Sequence, residues 1–91
     1  MTDGFRDNEA AHRFELTEQG LTAFASYRRN GDVVTIPHVE APVPLRGKGT
    51  ADRLMRAVVT EAREKKFKIS PTCPYARVWF QRHADAADAL A

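Results

Sequence analysis

Two cations alternate with two glycines in the segment Arg46-Gly47-Lys48-Gly49, which lies between a predicted strand and a predicted amphipathic helix. The first turn of a helix leaves backbone N–H groups unpaired and carries partial positive charge, so it favours an anion. Glycines let a phosphate approach the backbone closely. The segment therefore suits a pyrophosphate-binding loop, although a tight strand-to-helix turn would have the same composition.

The segment differs from two common nucleotide-binding motifs. In a Walker A loop a serine or threonine follows the lysine, but here Gly49 follows Lys48 and Pro42 stands where that motif has glycine. The dinucleotide fingerprint requires a third glycine and follows a parallel strand, whereas a hairpin precedes this segment. Neither motif describes the loop.

Three further residues could take part in proton transfer or nucleophilic chemistry. His38 and Glu40 are two positions apart, so a regular strand places both on one face, where either could accept a proton. The alternative is a locally bonded histidine and a solvated glutamate. Cys73 precedes Pro74 at a predicted helix start, where the thiolate form is favoured, yet a free cysteine is ordinarily a small buried residue.

Hydrophobic periodicity predicts an α+β domain in which two helices pack on a mainly antiparallel sheet, in the order β-β-β-α-β-α. Asn30-Gly31 indicates a tight hairpin. Residues 1–11 are polar and are predicted to be a loose lead-in to a single domain over residues 12–91. The predicted strands cover residues 12–16, 21–29, 32–39 and 67–72. The first predicted helix has its apolar stripe over residues 51–62 and its C-terminus at Lys65-Lys66, and the second covers residues 75–83.

Composition restricts the class of protein. A chain of 91 residues forms one domain, and so small a core is compatible with a homodimer that buries more surface. The net charge of +2 is too balanced to indicate a nucleic-acid-binding protein but suits an anionic ligand. The apolar runs are too short to cross a membrane, and the polar N-terminus is unlike a signal peptide, so we expect a cytoplasmic protein.

Metal binding is not expected from this sequence. Cys73 is the only cysteine, which excludes an intrachain disulfide and a cysteine-rich zinc site. His12 and His83 lack companion ligands at metal-binding spacing.

Three segments occur in order along the chain: His38-Val39-Glu40-Ala41-Pro42-Val43-Pro44, Arg46-Gly47-Lys48-Gly49-Thr50-Ala51 and Pro71-Thr72-Cys73-Pro74-Tyr75. Their order and separations resemble the very short GNAT-like family of the GNAT acetyltransferase superfamily, and the resemblance spans residues 12–83. Motif A of that superfamily has the pattern Gln/Arg-x-x-Gly-x-Gly/Ala at a helix start, and Gly47 and Gly49 match its glycines. Pro44 occupies the Gln/Arg position, and this departure removes one backbone N–H and one polar contact.

The resemblance implies a minimal GNAT-like fold that binds acetyl-CoA as co-substrate between two splayed strands and transfers its acetyl group to an amine. It does not identify the amine. It places the pyrophosphate on the amides of residues 46–50 and the pantetheine beside residues 38–43, and Tyr75 could protonate the CoA thiolate. The implied cofactor-binding residues are Val39, Val43, Leu45, Arg46, Gly47, Lys48, Gly49, Thr50 and Cys73, and the candidate catalytic residues are His38, Glu40, Cys73 and Tyr75.

Two other function classes remain open at this point. A non-catalytic CoA-binding or regulatory module would have the same loop without a working base. A small basic nucleic-acid-binding domain has less support than that module, because Tyr27-Arg28-Arg29 is the only segment that suggests interleaved aromatic and basic residues. Arg53 is interpreted as part of a solvated basic helix face, with contact to the CoA 3′-phosphate as the alternative.

Overall fold

One five-stranded sheet and two α-helices make up the fold. The computed structural model describes residues 4–91. The strands lie in chain order across the sheet; the first four are antiparallel and the last is parallel to its neighbour. This confirms the predicted α+β class and adds one strand. The elements are β1 (Phe5–Asn8), β2 (Arg13–Glu18), β3 (Leu21–Asn30), β4 (Val33–Glu40), α1 (Thr50–Lys65), β5 (Lys68–Pro71) and α2 (Pro74–Arg82), with 3₁₀ turns at Glu9–Ala11, Val43–Leu45 and Ala84–Ala89.

Strand β1 and the 3₁₀ turn that follows it occupy residues 5–11, where the polarity of the N-terminal region predicts a loose lead-in. Phe5 stacks on Phe14 of β2 with 6.1 Å between ring centroids. Gly4, at φ +80°, lies so close to β2 that its carbonyl accepts a hydrogen bond from Thr17 N–H at 3.0 Å. Because only one face of this strand is covered, its sequence is mostly polar and resembles a loop. The first three residues of the predicted lead-in lie outside the described residues.

Helix α1 forms the crossover that makes β4 and β5 parallel neighbours. Its buried stripe includes Leu54, Val58 and Ala62, which recur at helical spacing. The helix begins after Gly49 and ends at Lys66, both in the left-handed conformation. It packs against β2, β3 and β5, while α2 packs against β4 and β5.

A single apolar core joins the sheet to both helices. Its largest fully buried side chains are Phe14, Leu16, Ile36, Leu45, Leu54, Met55 and Ile69. After the 3₁₀ turn at Ala84–Ala89, the chain returns to the sheet beside β5. There Leu90 pairs with Ile69, and the Ala91 N–H bonds the Ile69 carbonyl at 2.8 Å. Between residues 4 and 91, neither helix is long and apolar enough to cross a membrane.

A bulge in β4 determines which way the end of that strand faces. Ser26 pairs with His38 and Arg28 with Thr35, so Ile36 and Pro37 together lie opposite Tyr27. An extra residue in one strand reverses the alternation of the side chains that follow it. Val34 and Ile36 are therefore buried in the core, whereas His38 and Glu40 are exposed.

The same region separates β4 from β5. Their parallel pairing stops at Ile36 and Pro71, where the Ile36 carbonyl accepts N–H bonds from Thr72 at 3.1 Å and Cys73 at 3.0 Å. Beyond this point β5 gives way to α2, while β4 continues to Glu40 paired only with β3. This is the splayed strand pair that the resemblance implies.

A buried carboxylate lies on the outer face of the sheet, which we define as the side bearing Arg6, Asn8, Arg13, Glu15, Phe24, Ser26, His38 and Glu40. Glu15 is only 5% exposed. It accepts hydrogen bonds from Arg6 at 2.8 Å, Arg13 at 2.5 Å and Asn8 at 3.1 Å. Hydrogen bonds from Arg6 are the largest influence that lowers the Glu15 pKa to about 2, despite the opposing effect of burial.

We expect Glu15→Gln to destabilise the protein at neutral pH by up to about 3 kcal/mol, since each pKa unit is worth about 1.4 kcal/mol. The folded-state pKa is depressed, so the ionised carboxylate contributes fully above its unfolded pKa of 4.5 and loses that contribution as pH falls toward 2. Urea denaturation from pH 3 to pH 7 should show the gap between variant and wild type shrinking below about pH 5. Glu64→Gln, at an exposed position of α1, is the control; an equal gap at every pH would contradict the assignment.

Candidate functional site

A pocket of about 280 Å³ lies between the end of β4, the start of α1 and the first turn of α2. This is close to the lower end of the range for ligand pockets. The residues that line it are Ala41, Leu45, Arg46, Gly47, Gly49, Thr50, Ala51, Asp52 and Tyr75. Most come from the glycine loop, which we define as residues 45–50, and from the helix turn that follows.

Backbone N–H groups are concentrated in the glycine loop. Those of Leu45, Arg46 and Lys48 are used within the local turns, bonding the carbonyls of Pro42, Val43 and Leu45. The first bond of α1 runs from Arg53 N–H to the Gly49 carbonyl. Among residues 4–91, the N–H groups of Gly47, Gly49, Thr50, Ala51 and Asp52 have no hydrogen-bond partner. Five free donors next to a helix N-terminus form an arrangement that favours a phosphate.

The two glycines give the loop its conformation. Gly47 has φ +78° and Gly49 has φ +81°, a region that residues with a side chain rarely adopt. A Cβ atom on Gly47 would meet open space, whereas one on Gly49 would lie 3.1 Å from Arg53 Nη1. The ends of the loop are fixed, because Leu45 and Thr50 are each 1% exposed.

Arg46 and Lys48 supply positive charge on the exposed part of the loop. Arg46 Nε donates to the Ala41 carbonyl at 3.1 Å, which joins the loop to the end of β4. Lys48 is exposed and makes no ion pair within the described part of the chain. Asp52 is the one acidic residue in the pocket lining, and its Oδ1 accepts a 2.7 Å bond from the Trp79 indole.

A network of three side chains, which we call the Glu18 network (Glu18, Thr50 and Arg53), lies behind the loop. Arg53 donates from Nε and Nη2 to the two Glu18 oxygens, both at 2.7 Å, and Thr50 Oγ1 donates to Glu18 Oε1 at 2.7 Å. These bonds, those from Arg53 first, lower the Glu18 pKa to about 2. Arg53 also donates to the Lys48 carbonyl at 3.0 Å. Arg53 is thus tied to the loop rather than free on a solvated face.

His38 and Glu40 are neighbours on the outer face. His38 Nε2 and Glu40 Oε1 are 3.1 Å apart, and both side chains are 55% exposed. Phe24 lies beside them, with its ring centroid 5.9 Å from that of His38. Neither residue lines the pocket, but the next residue, Ala41, does. A base at this position is accessible to an amine that arrives from the outer face.

Cys73 is buried in the apolar core at 6% exposure. It occupies the N-cap position of α2 without a side-chain hydrogen bond. Its backbone adjoins the splay through the bond to the Ile36 carbonyl, but its side chain is absent from the pocket lining. The packing corresponds to the ordinary structural role of a free cysteine.

Tyr75 lies in the first turn of α2 and lines the pocket opposite the glycine loop. Partial burial, and then the charges of Asp52 and Cys73, raise its pKa. The phenol therefore keeps its proton at neutral pH and can donate it.

The pocket brings together six of the residues that the sequence nominates: Leu45, Arg46, Gly47, Gly49, Thr50 and Tyr75. The other six do not line it. Val39 packs partly against the core and Val43 is 70% exposed. Lys48 is exposed on the loop, His38 and Glu40 lie on the outer face, and Cys73 is buried in the core. Among residues 4–91, no three potential ligands are grouped to hold a metal ion.

The site residues nominated from the sequence omit Ala41, Ala51, Asp52 and Glu18. Ala41 lies within residues 38–43, beside which the resemblance places the pantetheine, and Ala51 and Asp52 follow the predicted loop, so their proximity to the pocket could have been inferred. Glu18 is 35 residues from Arg53, and no local pattern connects the two.

Comparison with known proteins matches the chain to a protein family and to solved structures. The sequence profile described as GCN5-related N-acetyl-transferase matches residues 13–89. A solution NMR structure from Staphylococcus aureus, titled "GCN5-like putative N-acetyltransferase", superposes with a TM-score of 0.69 at 23% identity, covering 100% of this chain and 91% of the other. No curated protein sequence matches the chain.

We expect Gly49→Ala to lower the free energy of unfolding more than Gly47→Ala. Both substitutions force a side chain into positive φ, at about 1 kcal/mol each. Only the Cβ at position 49 also crowds Arg53, because it would lie 3.1 Å from Nη1 and the guanidinium would have to shift to relieve the contact. Urea denaturation of both variants measures the difference, and equal losses would show that the contact with Arg53 has no energetic consequence.

Proposed function

The chain belongs to the GCN5-related N-acetyltransferase family, and from that membership we propose that it transfers an acetyl group from acetyl-CoA to an amine. The observation that supports this most strongly is the set of five free N–H groups in and after the glycine loop. A pyrophosphate would accept hydrogen bonds from these donors, and the helix N-terminus would favour its charge. Arg46 and Lys48 would add long-range attraction.

The splay between β4 and β5 supports a position for the rest of the cofactor. After Ile36, the edge of β4 has no neighbouring strand on the β5 side within residues 4–91. An unpaired strand edge offers N–H and C=O groups to an amide-bearing ligand, as in strand addition. The pantetheine arm contains two amides and would lie along residues 37–41, which lead to the pocket.

Acetyl transfer requires a neutral amine as nucleophile. An amine is protonated at neutral pH, so a base must remove its proton before the nitrogen attacks the thioester carbonyl carbon. Glu40 is our candidate for this base, directly or through water, with His38 3.1 Å away to share the proton. Their exposure on the outer face allows an amine to reach them.

The departing sulfur requires a proton or a stabilising charge. As the carbon–sulfur bond breaks, the CoA sulfur acquires the electron pair, and Tyr75 is our candidate to protonate it. Its raised pKa keeps the phenol protonated until then. In this scheme the amine attacks the thioester directly, and the buried Cys73 packs beside the site without becoming acetylated.

A CoA-binding module without turnover is the second candidate function. The same loop would bind the cofactor, and the exposed pair of His38 and Glu40 would be ordinary surface residues. Turnover with any amine in a broad screen distinguishes the two functions. A nucleic-acid-binding role has less support, because Tyr27 is 6% exposed and its hydroxyl bonds Asp7 at 2.6 Å, which leaves no aromatic platform there.

We expect Gly47→Glu to abolish CoA and acetyl-CoA binding in calorimetry, with a loss of at least about 100-fold in affinity, because a carboxylate would face the phosphate site. Gly31→Glu is the matched control: Gly31 also has positive φ and open space at its Cβ position, but it lies in the β3–β4 hairpin. Equal affinity for Gly47→Glu and wild type would refute the loop assignment. Equal losses in both variants would indicate a general effect of such substitutions.

We expect Glu40→Gln to lower kcat by about 100-fold while leaving the CoA dissociation constant unchanged, as for loss of a general base. The measurement uses an amine identified by the screen. Cys73→Ala should retain most of the turnover, and intact mass after incubation with acetyl-CoA should show no acetyl group on the protein. A stoichiometric acetyl-cysteine, with complete loss of turnover in Cys73→Ala, would replace the direct mechanism with a covalent one.

A further inference from the structure

Two members of the Glu18 network, Glu18 and Arg53, have no part in the proposed transfer, yet Arg53 bonds the glycine loop directly. We propose that Arg53 is a positioning residue for cofactor binding, held by Glu18 so that it orients the peptide between Lys48 and Gly49 with the Gly49 N–H toward the pocket. The proposal rests on the proposed function for the identity of the ligand. The orientation of the peptide itself can be measured in the unliganded protein.

Arg53 is held firmly enough to act in this way. Two of its nitrogens bond the two oxygens of Glu18 at 2.7 Å each, the paired geometry that makes arginine–carboxylate contacts strong and directional. Glu18 is in turn fixed by the hydroxyl of Thr50, which is 1% exposed. The guanidinium is thus anchored to a strand end and to the first residue of α1.

The planarity of the peptide group connects Arg53 to the pocket. Arg53 Nη2 donates to the Lys48 carbonyl at 3.0 Å. In a trans peptide the carbonyl and the following N–H point in opposite directions. The Gly49 N–H therefore points away from Arg53. Gly49 lines the pocket and Arg53 does not, so the donor faces the pocket and the guanidinium lies behind it.

The glycine at position 49 makes such a restraint necessary. Rotation of the peptide between residues 48 and 49 requires Gly49 to change φ, and glycine adopts positive and negative φ with similar ease. Gly49, which lets a phosphate approach the loop, thus also leaves the peptide free to turn the Lys48 carbonyl toward an incoming anion. A carbonyl in that position would repel the phosphate, and the bond from Arg53 opposes this rotation.

The test compares Arg53→Met with Arg63→Met. Arg63 is a close match: it lies on α1, is also 47% exposed and holds a carboxylate, that of Asp88, through two nitrogens, but it has no contact with the loop. In the free protein, Arg53→Met should shift the Gly49 amide resonance and change its solvent exchange, while Arg63→Met leaves both unchanged. Calorimetry should show CoA affinity about tenfold lower or worse for Arg53→Met and within about twofold of wild type for the control, as expected for one charge-assisted hydrogen bond.

A second pair of variants tests the dependence on Glu18. If Glu18 acts through Arg53, then Glu18→Ala should weaken CoA binding, and the double variant with Arg53→Met should bind no more weakly than Arg53→Met alone. Additive losses would overturn the coupling. Should Arg53→Met not fold, Arg53→Lys serves instead, because an ammonium can hold Glu18 but lacks the planar set of donors that also reaches the Lys48 carbonyl.

The outcomes separate this proposal from the function it rests on. If wild type does not bind CoA, the proposed function fails, while the Gly49 amide still reports whether Arg53 orients the peptide. If wild type binds CoA and Arg53→Met binds it equally well, the positioning role is wrong. Weaker binding by Arg53→Met with an unchanged Gly49 amide in the free protein would also overturn the role, because it would indicate direct contact between Arg53 and phosphate.

Discussion

Two prolines lie at the point where the sheet opens. Pro71 ends β5, Pro37 follows Ile36, the last residue of β4 that pairs with β5, and neither proline has a backbone N–H to donate. The Ile36 carbonyl instead takes the N–H groups of Thr72 and Cys73, which ends the parallel ladder and begins α2. The β4 bulge occurs at the same residues. The separation of the strands, the facing of His38 and Glu40 and the position of Tyr75 all follow from this short region.

The glycine loop combines a fixed frame with an exposed centre. Leu45 and Thr50 are buried at its ends, so the path of the chain is set by the core. Between them the backbone passes through two positive-φ residues, and its unpaired N–H groups are accessible. Such donors are costly to bury without a partner, but on the surface water satisfies them until an anion replaces it. The site is therefore organised before any ligand arrives.

The sequence predicts much of this molecule because several signals are local. Asn30-Gly31 specifies a hairpin, the stripe containing Leu54 and Val58 specifies α1, and the alternation of cations with glycines specifies the loop. Structural features that depend on pairing between residues distant in the sequence cannot be predicted in this way. Strand β1 appears polar because it is covered on one face only. The bulge at Ile36 and Pro37 is visible only when β3 is placed beside β4.

The residues of the candidate site fall into the same two groups, those in local sequence motifs and those placed by pairing between distant segments. The pocket residues of the loop and Tyr75 belong to recognisable segments, so they could be nominated from the sequence. The two-residue spacing of His38 and Glu40 predicts that they share one face, and their side chains are 3.1 Å apart. The bulge residue that directs both of them to the outer face has no signal in the sequence of β4 alone. The partner of Arg53 lies at the end of β2, and only the folded chain brings Glu18 beside it.

The return of the chain to β5 has a consequence for how copies of this protein meet. An outermost strand carries unpaired backbone groups, and another molecule's strand can add to them and start aggregation. Here Leu90 lies in register beside Ile69, and the Ala91 N–H occupies the Ile69 carbonyl. These two residues do for β5 what a short sixth strand would do, and they obstruct the addition of a foreign strand there. The gap between β4 and β5 thus lies on one side of β5, while Leu90 and Ala91 cover the backbone of Ile69 on its other side.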